Sequence, residues 1–240
     1  MTLKDAANMA RKVLPTQYCG AVIVAAGSAS RMGGIDKVMA PLGGEPMILR
    51  TVRAFEDCEA VKEIVIVTRE DLIGPIAELC SGFTKVRSVV QGGSSRQESV
   101  KLGLLAFSKD VRLAAVHDGA RPLVSWQVID RAVRAANTYG GAAPAIAVKD
   151  TIKVVKGGLV ESTPDRASLQ AVQTPQVFDF DLLRGALKKA EEDKAQVTDD
   201  CSAVERLGMK IKIVEGDERN LKVTTPLDLK IAELLLEETK

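Results

Sequence analysis

At 240 residues the chain is long enough for one or two domains, and an α/β chain of this length commonly forms one. Lys plus Arg number 33 against 32 Asp plus Glu, a net charge of +1, which excludes a global field for nucleic acid or an anionic membrane and leaves only local cationic pockets. Hydrophobic residues at 46% and charged ones at 27% describe a soluble globule with a sizeable core.

The first segment, "MTLKDAANMARKVLP", is interrupted by Lys4, Asp5 and Arg11 and has no apolar signal-peptide core. No stretch approaches the roughly 18 apolar residues of a membrane span. Cys19, Cys58, Cys80 and Cys201 are scattered without a C-x-x-C pair, and there is one histidine, which argues against zinc and for a reduced, cytoplasmic compartment.

"AVIVAA" (21–26) is predicted as a buried strand. A helix is predicted over 46–57, with Pro46 at its first position and Ile48, Val52 and Phe55 on one face. Strands follow at 63–68, 85–90, 113–118 and 140–148, with helices near 71–81, 96–107 and 125–138 between them, and a late strand at 210–216. Apolar strands alternating with helices predict a Rossmann-like, mostly parallel sheet covered on both faces. Residues 149–173 break that rhythm: "TIKVVKGGLVEST" reads as strand, Gly-Gly turn, strand, a hairpin arm on a single domain of residues 1–240, suited to docking on a twin subunit.

In such sheets ligands bind beyond the carboxyl ends of the strands. Three loops fall there, at 27–37, 91–95 and 118–124. The first, "GSASRMGGIDK", has Met32 where a P-loop needs its second glycine and Ala29 where a dinucleotide loop needs its own. Gly27, Ser28 and Ala29 let backbone N–H groups approach a phosphate, and Arg31 and Lys37 add two cations that a structural turn does not need. "QGGSSRQES" (91–99) repeats the device; there Arg96 suits an ion pair with an acid, and Ser99 suits a helix start as well as a ligand. In "VHDGARP" (116–122), Asp118 ends a strand where a carboxylate suits a ribose hydroxyl or Mg²⁺, and Arg121 adds a cation. Adjacent strand residues face opposite ways, so His117 is expected to turn into the packing. Thr198, followed by two acids, has the pattern of a helix cap, and Lys222 that of a strand-edge lysine or a phosphate ligand.

The inventory holds cations, glycine backbone, hydroxyls and one or two acids, and no Ser-His-Asp set. Phosphoryl and nucleotidyl transfer needs this kit, because its catalysis is mostly positioning and charge stabilisation. An attacking phosphate monoester, with a second pKa of about 6, is largely dianionic at neutral pH and needs no general base.

Assembled, the motifs "AAGSASRMG…DK", "QGGSSRQESV", "VHDGARP", "KDTIK", "QTPQVF", "TDDCSAVE" and "GDERNLKVTTPLDL" give a chain that resembles the nucleotidyltransferases that make activated sugars. The resemblance is greatest to the 2-C-methyl-D-erythritol 4-phosphate cytidylyltransferase family, over about residues 19–236. It implies that Ala25, Ala26 and Gly27, with Gly93 and Ser99, hold the cytosine of CTP; that Arg31 and Lys37 grip the triphosphate, with Lys222 at the α-phosphate; and that Asp118 sits beside ribose, sugar phosphate and Mg²⁺ or another divalent cation. Arg121, Thr151 and Thr174 then face the polyol phosphate, and Arg166 and Thr198 reach it from the second subunit of a homodimer. Val38, Met39, Gly119 and Cys201 depart from the family's usual residues. The alternatives are transfer to ribitol 5-phosphate, a nicotinamide-dependent oxidoreductase on a similar sheet, and a nucleotide-binding regulator without turnover.

Overall fold

A computed structural model of the chain describes residues 18–27 and 37–238. β1 (Cys19–Val24) is followed by a small ribbon, β2 (Pro41–Leu42) with β3 (Glu45–Pro46), and by α1 (Met47–Glu56). Next come β4 (Val61–Thr68), a 3₁₀ turn at Glu70–Leu72, α2 (Ile73–Leu79), β5 (Val86–Gln91), α3 (Arg96–Leu105), β6 (Leu113–Asp118), α4 (Trp126–Tyr139) and β7 (Gly141–Ala147). The hairpin β8 (Val154–Lys156) and β9 (Leu159–Ser162) precedes β10 (Gln170–Val172) and β11 (Gln176–Asp179). α5 (Phe180–Glu192), α6 (Asp200–Glu205), β12 (Lys212–Glu215) and α7 (Pro226–Glu237) complete the order.

The main sheet runs β10-β7-β11-β6-β1-β4-β5, with β12 on the other side of β7. β6, β1, β4 and β5 are parallel, and β11 is wedged antiparallel between β6 and β7. Side chains alternate between two apolar layers: Ala21 and Ile23 of β1 and Ile64 and Ile66 of β4 face α1 and α4, while Val22, Val65 and Val67 face α3 and α5. Burial on both faces makes these strands continuously apolar, which is why they are legible in the sequence. In α1, Ile48, Val52 and Phe55 are fully buried, each contributing about 1.5–3 kcal/mol relative to exposure.

Local chemistry sets the boundaries. Pro46 stands one residue before α1 rather than at its first position, because it pairs with Pro41 in the ribbon and keeps an extended ψ of 135°. Ser95 and Ser125 cap α3 and α4, each accepting a backbone N–H three residues on. α4 ends at Gly140, whose φ of 80° is left-handed. Thr198 is not the cap of α6: Asp199 is, in a reciprocal box with Ser202. The hairpin turns on Gly157 and Gly158 at φ 57° and 83°, the pair of positive angles a two-residue turn requires. It is shorter than the 149–173 segment, since Gln170–Val172 pairs with β7 in the main sheet. Among the described residues, no helix is long and apolar enough to cross a membrane.

Candidate active site

Because β1, β5 and β6 are parallel, their carboxyl ends share one rim, and a cleft of about 350 Å³ opens there. One wall is peptide backbone. Gly92 brings the loop after β5 against the loop after β1: a Cβ on Gly92 would lie 2.5 Å from the Ala26 Cβ, so no side chain fits. The Gly93 N–H donates to Ser99 Oγ at 3.1 Å, and Ser99 donates to the Ser95 carbonyl at 2.9 Å. Glu98 accepts from the Ser94 N–H and hydroxyl, both at 2.7 Å. The start of α3 thus shapes its own loop, and the backbone of Gly93–Ser95 lines the cleft together with that of Ala25–Gly27.

The other wall is ionic and centred on Asp118, which is 8% exposed. Lys222 Nζ lies 2.9 Å from its carboxylate, Arg121 Nε 3.4 Å and Arg96 Nε 3.7 Å. Burial alone would raise this carboxyl; Lys222, then Arg96 and Arg121, outweigh it and hold the group well below the usual carboxylate range. Arg96 is the pivot, because its Nη2 also sits 2.7 Å from Asp200, 1% exposed. Burial raises the Asp200 carboxyl above its ordinary range, and the Arg96 guanidinium beside it pulls it only part of the way back. Gln176 fixes α6 beneath it, donating to Asp199 at 2.7 Å and accepting the Cys201 N–H at 2.9 Å.

Lys222 is delivered by a turn knotted to the sheet. Asn220, fully buried, donates to the Thr174 carbonyl at 2.9 Å, and its own carbonyl accepts Arg121 Nη1 at 2.6 Å. Gln173 donates to the Asp217 carbonyl at 2.7 Å, and the Val223 N–H donates to Ala120 at 2.8 Å. His117 turns away from the cleft, as the alternation requires, and packs against Phe55 with ring centroids 4.9 Å apart. Burial pushes it down to about 3, so it stays neutral in the working range. Burial likewise raises all four thiols, Cys80 to about 11, so none is a poised nucleophile.

Of the residues singled out in the sequence, Ala25, Ala26, Gly27, Lys37, Gly93, Ser99, Asp118 and Lys222 line this one cleft. Arg121 and Thr174 adjoin it through Asp118, whose N–H donates to Thr174 Oγ1 at 3.1 Å. Thr151, Arg166 and Thr198 are exposed and do not line it; Arg166 donates to the Lys149 carbonyl at the base of the hairpin. Ser28, Ala29 and Arg31 lie outside the described residues. Asp200, Gln176, Gln173 and Asn220 carry the scaffold without having been singled out. All four sit inside motifs read from the sequence, but their partners are remote.

Asp118 is the one carboxylate among the described residues lining the cleft. Mg²⁺ is usually held by one or two carboxylates plus substrate phosphates, and an ionised aspartate at the cleft, ringed by Lys222, Arg96 and Arg121, fits that donor set.

The family model described as IspD, 2-C-methyl-D-erythritol 4-phosphate cytidylyltransferase, matches residues 19–238. A relative of that name from Caldanaerobacter subterraneus subsp. tengcongensis is 44% identical over 225 residues, covering 90% of this chain and 97% of the relative. One from Geobacillus kaustophilus is 45% identical over 219 residues, covering 90% and 96%. Among solved structures, the 4-diphosphocytidyl-2C-methyl-D-erythritol synthase of Anaerococcus prevotii superposes with a TM-score of 0.84 at 30% identity, covering 92% of this chain and 97% of that one. The Thermus thermophilus 2-C-methyl-D-erythritol 4-phosphate cytidylyltransferase gives 0.76 at 32%, covering 92% and 99%. A backbone wall facing a cation-ringed aspartate, on a sheet these proteins share along nearly their whole length, leads to one assignment: the chain belongs to the 2-C-methyl-D-erythritol 4-phosphate cytidylyltransferase family.

Proposed function

We infer that this cleft transfers the cytidylyl group of CTP to the phosphate of 2-C-methyl-D-erythritol 4-phosphate, giving 4-diphosphocytidyl-2-C-methyl-D-erythritol and pyrophosphate. The observation that carries the reading is the ring of Lys222, Arg96 and Arg121 around Asp118, facing bare peptide across the cleft. An acceptor phosphate oxygen attacks the α-phosphorus in line, the bond to pyrophosphate breaks, and no proton has to move, since a phosphate monoester with a second pKa of about 6 is already largely dianionic. A neutral, buried His117 is compatible with a reaction that needs no general base.

In this reading Ala25, Ala26, Gly27, Gly93 and Ser99 surround the cytosine, and Arg31 and Lys37 hold the triphosphate. Lys222 stabilises charge at the α-phosphorus, and Asp118 orients the ribose. Asp118, with the nucleotide's phosphates, would hold Mg²⁺, which supplies further neutralisation of developing charge. Arg121, Thr151 and Thr174 serve the acceptor side. Arg166 and Thr198, exposed and outside the cleft of their own chain, serve the partner subunit's site in a homodimer joined through the arm. Val155, Leu159 and Val160, 56%, 76% and 61% exposed on β8 and β9, support that association. The four free, buried cysteines suit a reducing, cytoplasmic setting.

The test is pyrophosphate release by purified protein with each of the four nucleoside triphosphates, against 2-C-methyl-D-erythritol 4-phosphate and ribitol 5-phosphate. The expected result is turnover with CTP and the methylerythritol phosphate. Faster turnover with ribitol phosphate, or none with either alcohol, would overturn the reading.

A further inference from the structure

His117 is the chain's single histidine, it is fully buried, and no step of the transfer uses it, yet both its ring nitrogens are engaged. Nε2 is 3.3 Å from the Arg121 carbonyl and Nδ1 is 3.0 Å from Thr174 Oγ1. A carbonyl only accepts, so Nε2 carries the proton. A neutral imidazole has one such proton, so Nδ1 accepts, and the Thr174 hydroxyl donates to it. With that proton committed, the Thr174 oxygen presents a lone pair to the Asp118 N–H, 3.1 Å away. Every proton in this chain of contacts has one place. α1 closes the pocket from behind, with the Phe55 ring against the imidazole and Thr51 donating to the Gly119 carbonyl at 3.0 Å.

The two residues that His117 hydrogen-bonds, Arg121 and Thr174, are those assigned to the acceptor side. We propose that His117 is a positioning residue for the acceptor half of the site: its Nδ1 orients the Thr174 hydroxyl and its Nε2–H anchors the Arg121 backbone, and together these contacts fix Thr174 and Arg121 for the incoming alcohol phosphate. The inference deepens the cytidylyltransferase reading and rests on it. A ring with a donor and an acceptor on opposite edges is what the position demands. Phenylalanine would fill the space but remove the acceptor of the buried Thr174 hydroxyl proton and the donor to the Arg121 carbonyl.

Two measurements test this. With a single histidine, ¹⁵N-histidine labelling of tag-free protein gives one imidazole, read without reference to activity. The expected spectrum at neutral pH has Nε2 protonated and Nδ1 unprotonated, and Thr174→Val perturbs Nδ1 far more than Nε2. A proton on Nδ1, or no response to Thr174→Val, would overturn the proposal even if the enzyme turns over CTP as expected. The second measurement is kinetic. His117→Phe is expected to raise the acceptor KM about 10-fold or more, the scale of one buried hydrogen-bond partner lost, while calorimetric CTP affinity without acceptor changes by less than about twofold. His117→Phe combined with Thr174→Val should cost no more than the worse single change, because both break one link. If His117→Phe does not fold, His117→Asn, which keeps an acceptor near the Nδ1 position, should retain the CTP affinity and much of the acceptor affinity. Additive losses, or parallel losses of CTP and acceptor affinity, would assign His117 to general packing instead.

Discussion

Lys222 Nζ lies 2.9 Å from Asp118 Oδ2, nearer than either arginine, although Asp118 ends β6 in the middle of the chain and Lys222 follows β12. The pair closes the ionic wall of the cleft with a lysine that is still partly exposed, so the same ammonium that neutralises Asp118 also faces the cleft.

The first prediction concerns Asp118 itself. Its carboxyl is held below the unfolded value of about 3.9, so it contributes stability that is present above that pH and lost as pH falls through the lower folded value. Asp118→Asn should therefore be less stable than the parent at neutral pH, with the difference shrinking as the solution is acidified below about pH 4. Urea midpoints across that window provide the check. A difference that grows with acid would contradict the assignment. Turnover should fall about 10²-fold or more in the same variant.

Lys37 lines the cleft at the end of the first glycine loop. Lys37→Ala should lower turnover by about 10²-fold, the scale of one preorganised charge contact, with the thermal midpoint little changed. Near-parental kcat would remove Lys37 from the chemistry.

Arg96 and Asp200 make a separable prediction about scaffold. Removing one partner of a buried ion pair leaves the other uncompensated, so Arg96→Met should cost about 3–5 kcal/mol at neutral pH. Adding Asp200→Leu should recover most of that loss, since the buried charge is then gone. A double variant as unstable as Arg96→Met alone would show that the pair is not the source.

The exposed apolar strip on the hairpin tests association. Val155→Asp with Leu159→Asp should shift sedimentation from dimer to monomer and lower turnover by about 10-fold or more if Arg166 and Thr198 act on the partner's site. An unchanged sedimentation coefficient, with activity retained, would place the interface elsewhere.

Much of this molecule was open to reading along the chain. The strand at 113–118 has the bounds found in the fold, and the loops at 91–95 and 118–124 lie at the ends of parallel strands, because burial on both sheet faces leaves continuous apolar runs and forces crossovers that return to the same rim. The inward turn of His117 followed from strand alternation alone. β11, α5 and α7 were not assigned. α5 carried a readable signal in its Asp179 cap and in the spacing of Leu183, Ala186, Leu187 and Ala190. The four-residue β11 and the broadly apolar α7 show little periodicity to read.

What only the folded chain decided is which charges meet. Arg96 and Asp200 are 104 residues apart, and Thr174 and His117 57. Residue identity and hydrophobic period determine which way a side chain faces and where a strand ends, because those are properties of neighbouring peptide units. Strand order and the antiparallel wedge of β11 determine which distant loops become neighbours. No local pattern encodes that choice, so the ring around Asp118 and the proton order at His117 belong to the tertiary structure.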